Sequence, residues 1–279
     1  MIILDLIYPE KSKIKYTGLV FPDGQPHIKI DMKSLEGIDK EKPVGILTRL
    51  NDPKDLLLAL FVKNTLDYLE FSYVELHVSY LMAARMDRVM LDGEPFSLKV
   101  VAAVLNQAGF RKIKIFDPHS EVSTALIERS YAVTNHQFVK EALAAYTKEF
   151  GKKDYCLVSP DAGALKKIHK LAQFLDIVDV VECMKERDVK TGALTNFKTT
   201  VEDLKGKTCF IIDDICDGGG TFAGTAGMLK KKGAEKVYLV VSHGIFSKGS
   251  SIEFIDGIYT TDSYKKVEGV HSFSISNYL

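Results

Sequence analysis

The chain has 279 residues, 46% of them hydrophobic, and its 37 Lys+Arg balance its 37 Asp+Glu for a formal net charge of zero. That length carries one large domain or two medium ones around a sizeable core, and the even balance excludes a general nucleic-acid binder, whose phosphate contacts need a basic face. No apolar run approaches a membrane span, the first eight residues contain Asp5 and no basic run, and Cys156, Cys183, Cys209 and Cys216 form no Cys-x-x-Cys pair, so the expectation is a soluble cytoplasmic protein with buried free thiols and no signal peptide.

Strand-like and helix-like segments alternate along the chain. A short strand is expected at 44–47, then a helix at 52–68 started by Asp52-Pro53. A strand follows at 73–83, a helix at 97–108 stopped by Gly109, and a strand at 112–116. The next helix, 139–150, ends at Gly151 and leads to a strand at 155–159 and a helix at 162–175. Strands at 178–184 and 208–212, a helix at 222–232 and a strand at 236–243 complete the series. Near-continuous apolar strands alternating with helices predict an α/β protein, its mainly parallel sheets flanked by helices. In both halves a helix ends in a glycine, Gly109 or Gly233, and feeds a strand. With the length, this predicts two similar α/β domains, 1–140 and 141–279, without a low-complexity linker between them.

The most informative stretch is 209–221. An apolar run ends in Asp213 and Asp214, and Asp217, Gly218, Gly219, Gly220 and Thr221 follow before the next helix. Two carboxylates at a strand end can accept hydrogen bonds from vicinal ribose hydroxyls. A glycine-rich turn into a helix offers backbone N–H groups, with the Thr221 hydroxyl, to a monophosphate. The plain alternative is a glycine turn with an Asp as helix cap. The Gly-Lys-Ser/Thr ending of a P-loop is absent.

In open α/β sheets ligands gather beyond the carboxyl ends of the strands, and three more polar clusters occupy such ends. Arg85 and Arg88 flank Asp87 after the strand at 73–83; arginine binds phosphate with paired donors and stacks on purines, or it is a solvated turn. His119 lies two residues after Asp117. Beside a polyphosphate, imidazole and carboxylate can ligate a divalent cation, since Mg²⁺ keeps few protein ligands; alone, the pair reads as a turn cap. Asp161, between a strand and a helix, is either a cap or a group that orients metal-bound water or meets a pyrophosphate. Lys185 and Arg187 open the polar segment 186–207, a loop or hairpin. Two cations there suit a phosphoryl-transfer transition state as well as a charged surface hairpin.

Assembled, these residues resemble the ribose-phosphate diphosphokinase (phosphoribosyl pyrophosphate synthetase) family over nearly the whole chain. The resemblance rests on Phe21-Pro22-Asp23-Gly24-Gln25, the Arg85 cluster, Pro95-Phe96-Ser97-Leu98-Lys99, Asp117-Pro118-His119-Ser120, Ser159-Pro160-Asp161-Ala162-Gly163, Lys185 with Arg187, the 209–221 stretch and Thr260-Thr261-Asp262. It implies two type I phosphoribosyltransferase-like domains that transfer the diphosphoryl group of ATP to the 1-hydroxyl of ribose 5-phosphate, giving phosphoribosyl pyrophosphate and AMP. By position, Asp213, Asp214, Asp217, Gly218, Gly219, Gly220 and Thr221 would hold ribose 5-phosphate. Phe21, Asp23, Arg85, Asp87, Arg88 and His119 would contact ATP, His119 and Asp161 would serve its Mg²⁺, and Lys185 and Arg187 would be the catalytic pair. The family also implies a homo-oligomer, dimer or hexamer, whose adenine site borrows the phenylalanine of the Phe21 motif from a neighbour.

The chain departs from the family pattern at Gln25, usually Glu, at Met86, usually Gln, and at the turn 89–94, often basic in relatives. It stops at Leu279 without the final helix that many relatives carry. Two other readings remain: a phosphoribosyltransferase that consumes phosphoribosyl pyrophosphate, and a non-catalytic regulatory subunit of the same family.

Overall fold

The computed structural model describes residues 1–151, 154–187 and 194–279, with backbone alone at 185–187 and 194–196. Packing divides them into two compact units, Met1–Thr134 with Ser276–Leu279, and Asn135–Ile275.

The N-terminal unit begins with β1 (Ile2–Asp5) and a hairpin, β2 (Tyr16–Val20) and β3 (Pro26–Ile30). It continues through β4 (Val44–Leu50), α1 (Pro53–Tyr68), β5 (Val74–Leu81), α2 (Ser97–Gln107), β6 (Lys112–Phe116), α3 (Val122–Leu126) and β7 (Ser130–Val133). The main sheet has the order β1-β4-β5-β6-β7, every pair parallel. Helix α1 starts where its cap predicts: the Asp52 carboxylate accepts from the N–H groups of Lys54 and Asp55 at 2.7 and 3.1 Å. Alternation along the strands sends Leu76, Val78, Ile113 and Ile115 into one core with Leu56, Val62, Leu98 and Leu105 of the helices.

The opposite parity of β5 carries a polar cluster. His77 is fully buried, its Nε2 lies 3.3 Å from Glu75, and Glu75 pairs with Lys114 of β6 at 3.7 Å. The Nδ1 of His77 has no hydrogen-bond partner. Burial first, and then the Lys114 charge, lower the imidazole pKa to about 4 against the opposing pull of Glu75.

The C-terminal unit runs α4 (His136–Phe150), β8 (Tyr155–Ser159), α5 (Leu165–Leu175), β9 (Val180–Arg187), β10 (Leu194–Thr199) and β11 (Thr208–Cys216). Then come α6 (Gly220–Lys231), β12 (Lys236–Gly244), β13 (Gly257–Thr261) and β14 (His271–Phe273). Seven strands take the order β10-β9-β8-β11-β12-β13-β14, and β9–β10 is the one antiparallel pair among them. Both units are thus α/β with mainly parallel sheets. Gly151 closes α4 in the left-handed region, φ +66°, where only glycine is unstrained. All four cysteines are free and buried in this unit. Cys156 and Cys209 face each other across β8 and β11 with sulfurs 3.4 Å apart. Burial pushes the Cys183 thiol up to about 12, and the Cys156 contact together with burial pushes that of Cys209 higher still.

Several boundaries differ from the sequence expectation. Helix α5 starts at Leu165 rather than 162, because Asp161–Ala164 form a separate turn. Strand β9 runs on to Arg187, and β10 pairs back against it, so the polar segment after 184 begins and ends as a hairpin. Its residues 188–193 lie outside the described ones. No described helix is long and apolar enough to cross a membrane.

Candidate active site

The acid pair lies inside β11 rather than after it. Strand β12 runs alongside as far as Gly244, with Ile215 opposite His243 and Cys216 opposite Gly244, and this pairing carries β11 past both acids. Asp214 is buried at 7% exposure, and its N–H donates to the Asp213 carboxylate at 2.9 Å. Burial first, then the Asp214 charge, hold the Asp213 pKa well above the usual carboxylate range, with a further push from Asp161. Three acids therefore feel one another at the ends of β8 and β11. Such a cluster favours groups that bring hydrogen-bond donors or positive charge.

Beyond Cys216 the chain turns through Asp217 and Gly218 to Gly219, at φ +76°, and enters α6 at Gly220. No side chain caps this helix and its first turn holds no acid. Its leading N–H groups are thus donors of the kind that suit an oxyanion. The turn is pinned from the β12–β13 connection. The N–H groups of Ile245 and Phe246 donate to the Cys216 carbonyl at 2.9 and 3.1 Å. Ile252 sits so close that a methyl group on Gly219 would lie 3.1 Å from it. One turn along α6, a methyl on Gly224 would lie 2.2 Å from the Phe197 ring of β10. Phe197 is the register partner of Lys185, so glycine lets the hairpin that carries Lys185 and Arg187 lie close against α6.

Asp161 does the work of its plain alternative. Its carboxylate accepts from the Ala164 N–H at 3.0 Å, and Ser159 Oγ donates to its carbonyl at 2.9 Å. Its charge nevertheless reaches Asp213.

In the N-terminal unit, Phe21 and Asp23 occupy the tip of the β2–β3 hairpin. The Phe21 N–H donates to the Gln25 carbonyl at 2.9 Å, and Asp23 accepts from the Gln25 N–H at 3.0 Å. The Phe21 ring is 40% exposed and tilts against His27 with centroids 5.3 Å apart. Ala83, at φ +61°, turns the chain out of β5, and Arg85 and Arg88 are exposed beyond it. Arg88 Nε reaches Met90 Sδ at 3.3 Å, and Asp87 is half-buried. Asp117 is buried, also in the left-handed region at φ +36°, and its N–H donates to the Val133 carbonyl at 2.8 Å, which leaves His119 exposed beyond the end of β6. Left-handed non-glycine residues at two strand ends are strained positions of the kind found beside ligands.

A further network joins the ends of β12 and β13. Ser263 Oγ donates to the Ser242 carbonyl at 2.9 Å and accepts from His243 Nδ1 at 2.7 Å. Thr261 Oγ1 donates to the same carbonyl at 2.6 Å, and Asp262 accepts from the Ile275 N–H at 2.7 Å. The sequence offered Thr260-Thr261-Asp262 by resemblance; the signal for His243 was its place at the end of an apolar strand. Among the described residues no group of three or more His, Cys, Asp or Glu side chains is placed to hold one metal ion.

The phosphoribosyl transferase domain family matches residues 133–273. The ribose-phosphate pyrophosphokinase of Pyrococcus abyssi is 27% identical over 232 residues, covering 82% of this chain and 76% of its own length. That of Mycoplasmopsis pulmonis is 28% identical over 257 residues, covering 89% and 76%. The crystal structure of phosphoribosylpyrophosphate synthetase from Mycobacterium smegmatis superposes with a TM-score of 0.76 at 22% identity, over 95% of this chain and 87% of that one, a likeness of fold. With half of its residues matched, including both acids and the glycine turn after them, the chain belongs to the phosphoribosyl transferase domain family and is similar along most of its length to ribose-phosphate pyrophosphokinases.

Proposed function

We propose that the protein is a ribose-phosphate diphosphokinase, joining the diphosphoryl group of ATP to the 1-hydroxyl of ribose 5-phosphate to form phosphoribosyl pyrophosphate and AMP. The observation that carries this reading is the β11–α6 segment. Paired acids suited to ribose hydroxyls run directly into an uncapped, glycine-lined helix start suited to a phosphate. In the same chain the N-terminal unit has exposed arginines beyond the end of β5 and an exposed ring at a hairpin tip that suit a nucleotide. The relatives named above support the choice of reaction.

In this reading residues 1–140 serve the nucleotide, through Phe21, Asp23, Arg85, Asp87, Arg88 and His119. Residues 141–279 serve the sugar phosphate, through Asp213, Asp214 and 217–221. The 1-hydroxyl oxygen bonds to the β-phosphorus as the bond from that phosphorus to the α–β bridging oxygen breaks, and AMP leaves. Lys185 and Arg187 neutralise the charge that builds on the transferring group, so catalysis is positioning plus electrostatics without a covalent nucleophile. A Mg²⁺ ion bound with the nucleotide would neutralise charge on the phosphate oxygens and would need few protein ligands. His119 and Asp161 are the side chains that would serve it. The protein works in the cytoplasm as a homo-oligomer, dimer or hexamer, with an inter-subunit nucleotide site.

The test is incubation with ATP, Mg²⁺ and ribose 5-phosphate, read by phosphorus NMR. AMP and phosphoribosyl pyrophosphate should appear in equal amounts. Their absence, with release of diphosphate from phosphoribosyl pyrophosphate when a nucleobase is added, would replace this reading by the phosphoribosyltransferase one. That alternative has the family match at 133–273 in its favour and leaves the N-terminal clusters without a task.

A further inference from the structure

From Thr208 to Leu229 the chain contains no lysine or arginine, yet this stretch holds Asp213, Asp214 and Asp217. A phosphate dianion on the glycine turn therefore meets helix N–H groups and three neighbouring carboxylates, with no cation from the segment itself. The missing charge comes from elsewhere in the same unit. The β12–β13 connection is anchored beside the turn on both sides of Lys248. Before it, Ile245 and Phe246 donate to the Cys216 carbonyl; after it, Ile252 packs on Gly219. Between the anchors, the Gly249 N–H closes a turn on the Phe246 carbonyl at 3.0 Å, with Gly249 at φ +89°. This sets the Lys248 stem over the phosphate turn. A methyl on Gly218 would lie 3.6 Å from both Cδ and Cε of Lys248. The apolar stem thus passes within a methyl's reach of the turn, with the ammonium one bond beyond it. Lys248 is exposed and makes no ion pair among the described residues.

We propose that Lys248 is the side-chain cation of the phosphate cradle at 217–221 and a ligand of the 5-phosphate of the sugar. The inference rests on the ribose-phosphate reading of that cradle and adds to it a residue from outside the motif.

Calorimetric titration of the full chain with ribose 5-phosphate and with inorganic phosphate tests it, using wild type, Lys248→Gln, Lys248→Arg and the exposed control Lys266→Gln. Lys248→Gln should weaken both ligands about tenfold, the size expected for one lost charge-assisted contact, with the melting temperature unchanged. Lys248→Arg and Lys266→Gln should stay within about twofold of wild type by the same reasoning. Wild-type affinity in Lys248→Gln, or an equal loss in Lys266→Gln, overturns the proposal. A wild type that binds neither ligand overturns the ribose-phosphate reading together with it. A Lys248-dependent affinity in a protein that makes no phosphoribosyl pyrophosphate leaves Lys248 in place and removes the reaction alone.

Discussion

The two units present their chemistry in opposite ways. In the C-terminal unit the acids are buried or half-buried in a strand, the turn is fastened by two hydrogen bonds and an isoleucine, and the hairpin packs on the helix through a glycine. In the N-terminal unit Phe21, Arg85, Arg88 and His119 stand exposed on loops and a hairpin tip, and the apolar run Val89, Met90 and Leu91 that follows Arg88 is exposed as well. The first arrangement is a fixed frame of the kind that electrostatic catalysis requires. The second is a set of exposed side chains without such a frame.

The sharpest break of this comparison is Lys185→Ala. If the hairpin supplies the transition-state cations, kcat should fall by about a thousandfold or more, with the fold and nucleotide affinity kept. Unchanged turnover would remove the hairpin from the chemistry; circular dichroism and nucleotide titration provide the controls.

The N-terminal unit should be the acid-sensitive one. His77 has a folded pKa of about 4 and an ordinary unfolded value near 6.5, so the unfolded chain takes up its proton first as pH falls. The stability that its neutral form contributes is complete above about pH 6.5 and is lost as pH drops through 4, about 3 kcal/mol in all. Denaturant midpoints measured from pH 7 to 4 should show this slope in wild type and lose it in His77→Leu. Equal slopes would mean that Lys114 and Glu75 govern the site instead.

The fixed frame predicts a smaller, structural effect at Gly224. Gly224→Ala drives a methyl into the Phe197 ring, which should cost about 2 kcal/mol and lower kcat more than it raises the KM for ribose 5-phosphate. Adding Phe197→Ala should relieve the clash and recover part of the stability but not the rate. A neutral Gly224→Ala would show that the hairpin does not rest on α6. Smallest is Phe21→Ala, which removes an exposed ring from the hairpin tip. It should raise the KM for ATP about tenfold and leave both the melting temperature and the KM for ribose 5-phosphate unchanged.

The helices and buried strands were legible because their signals are local. Asp52-Pro53 gives a start, Gly109 and Gly151 give stops, and continuous apolar runs mark parallel strands covered on both faces. The passage of β11 through its acids was not legible, because a carboxylate in a strand is tolerated only where the neighbouring strand keeps pairing, and that neighbour lies some thirty residues on. The β2–β3 hairpin left little trace, since one of its strands is exposed nearly throughout and shows no alternation. The motif residues of the candidate site stood out by type and order. Their supports did not: Phe197, Ile252 and Lys248 carry no local pattern, and only the packing brings them to the glycines of α6 and its turn.

The cysteines have a use that the chemistry leaves free. All four are buried in one unit, and those of Cys183, Cys209 and Cys216 titrate far above neutral pH. Thiolate is the reactive form, so an alkylating probe has no target in the folded chain. Each modification then records one opening of the β8–β9–β11 core. Labelling rates with and without ribose 5-phosphate would read, as a clock, how firmly an occupied cradle holds the strand beneath it.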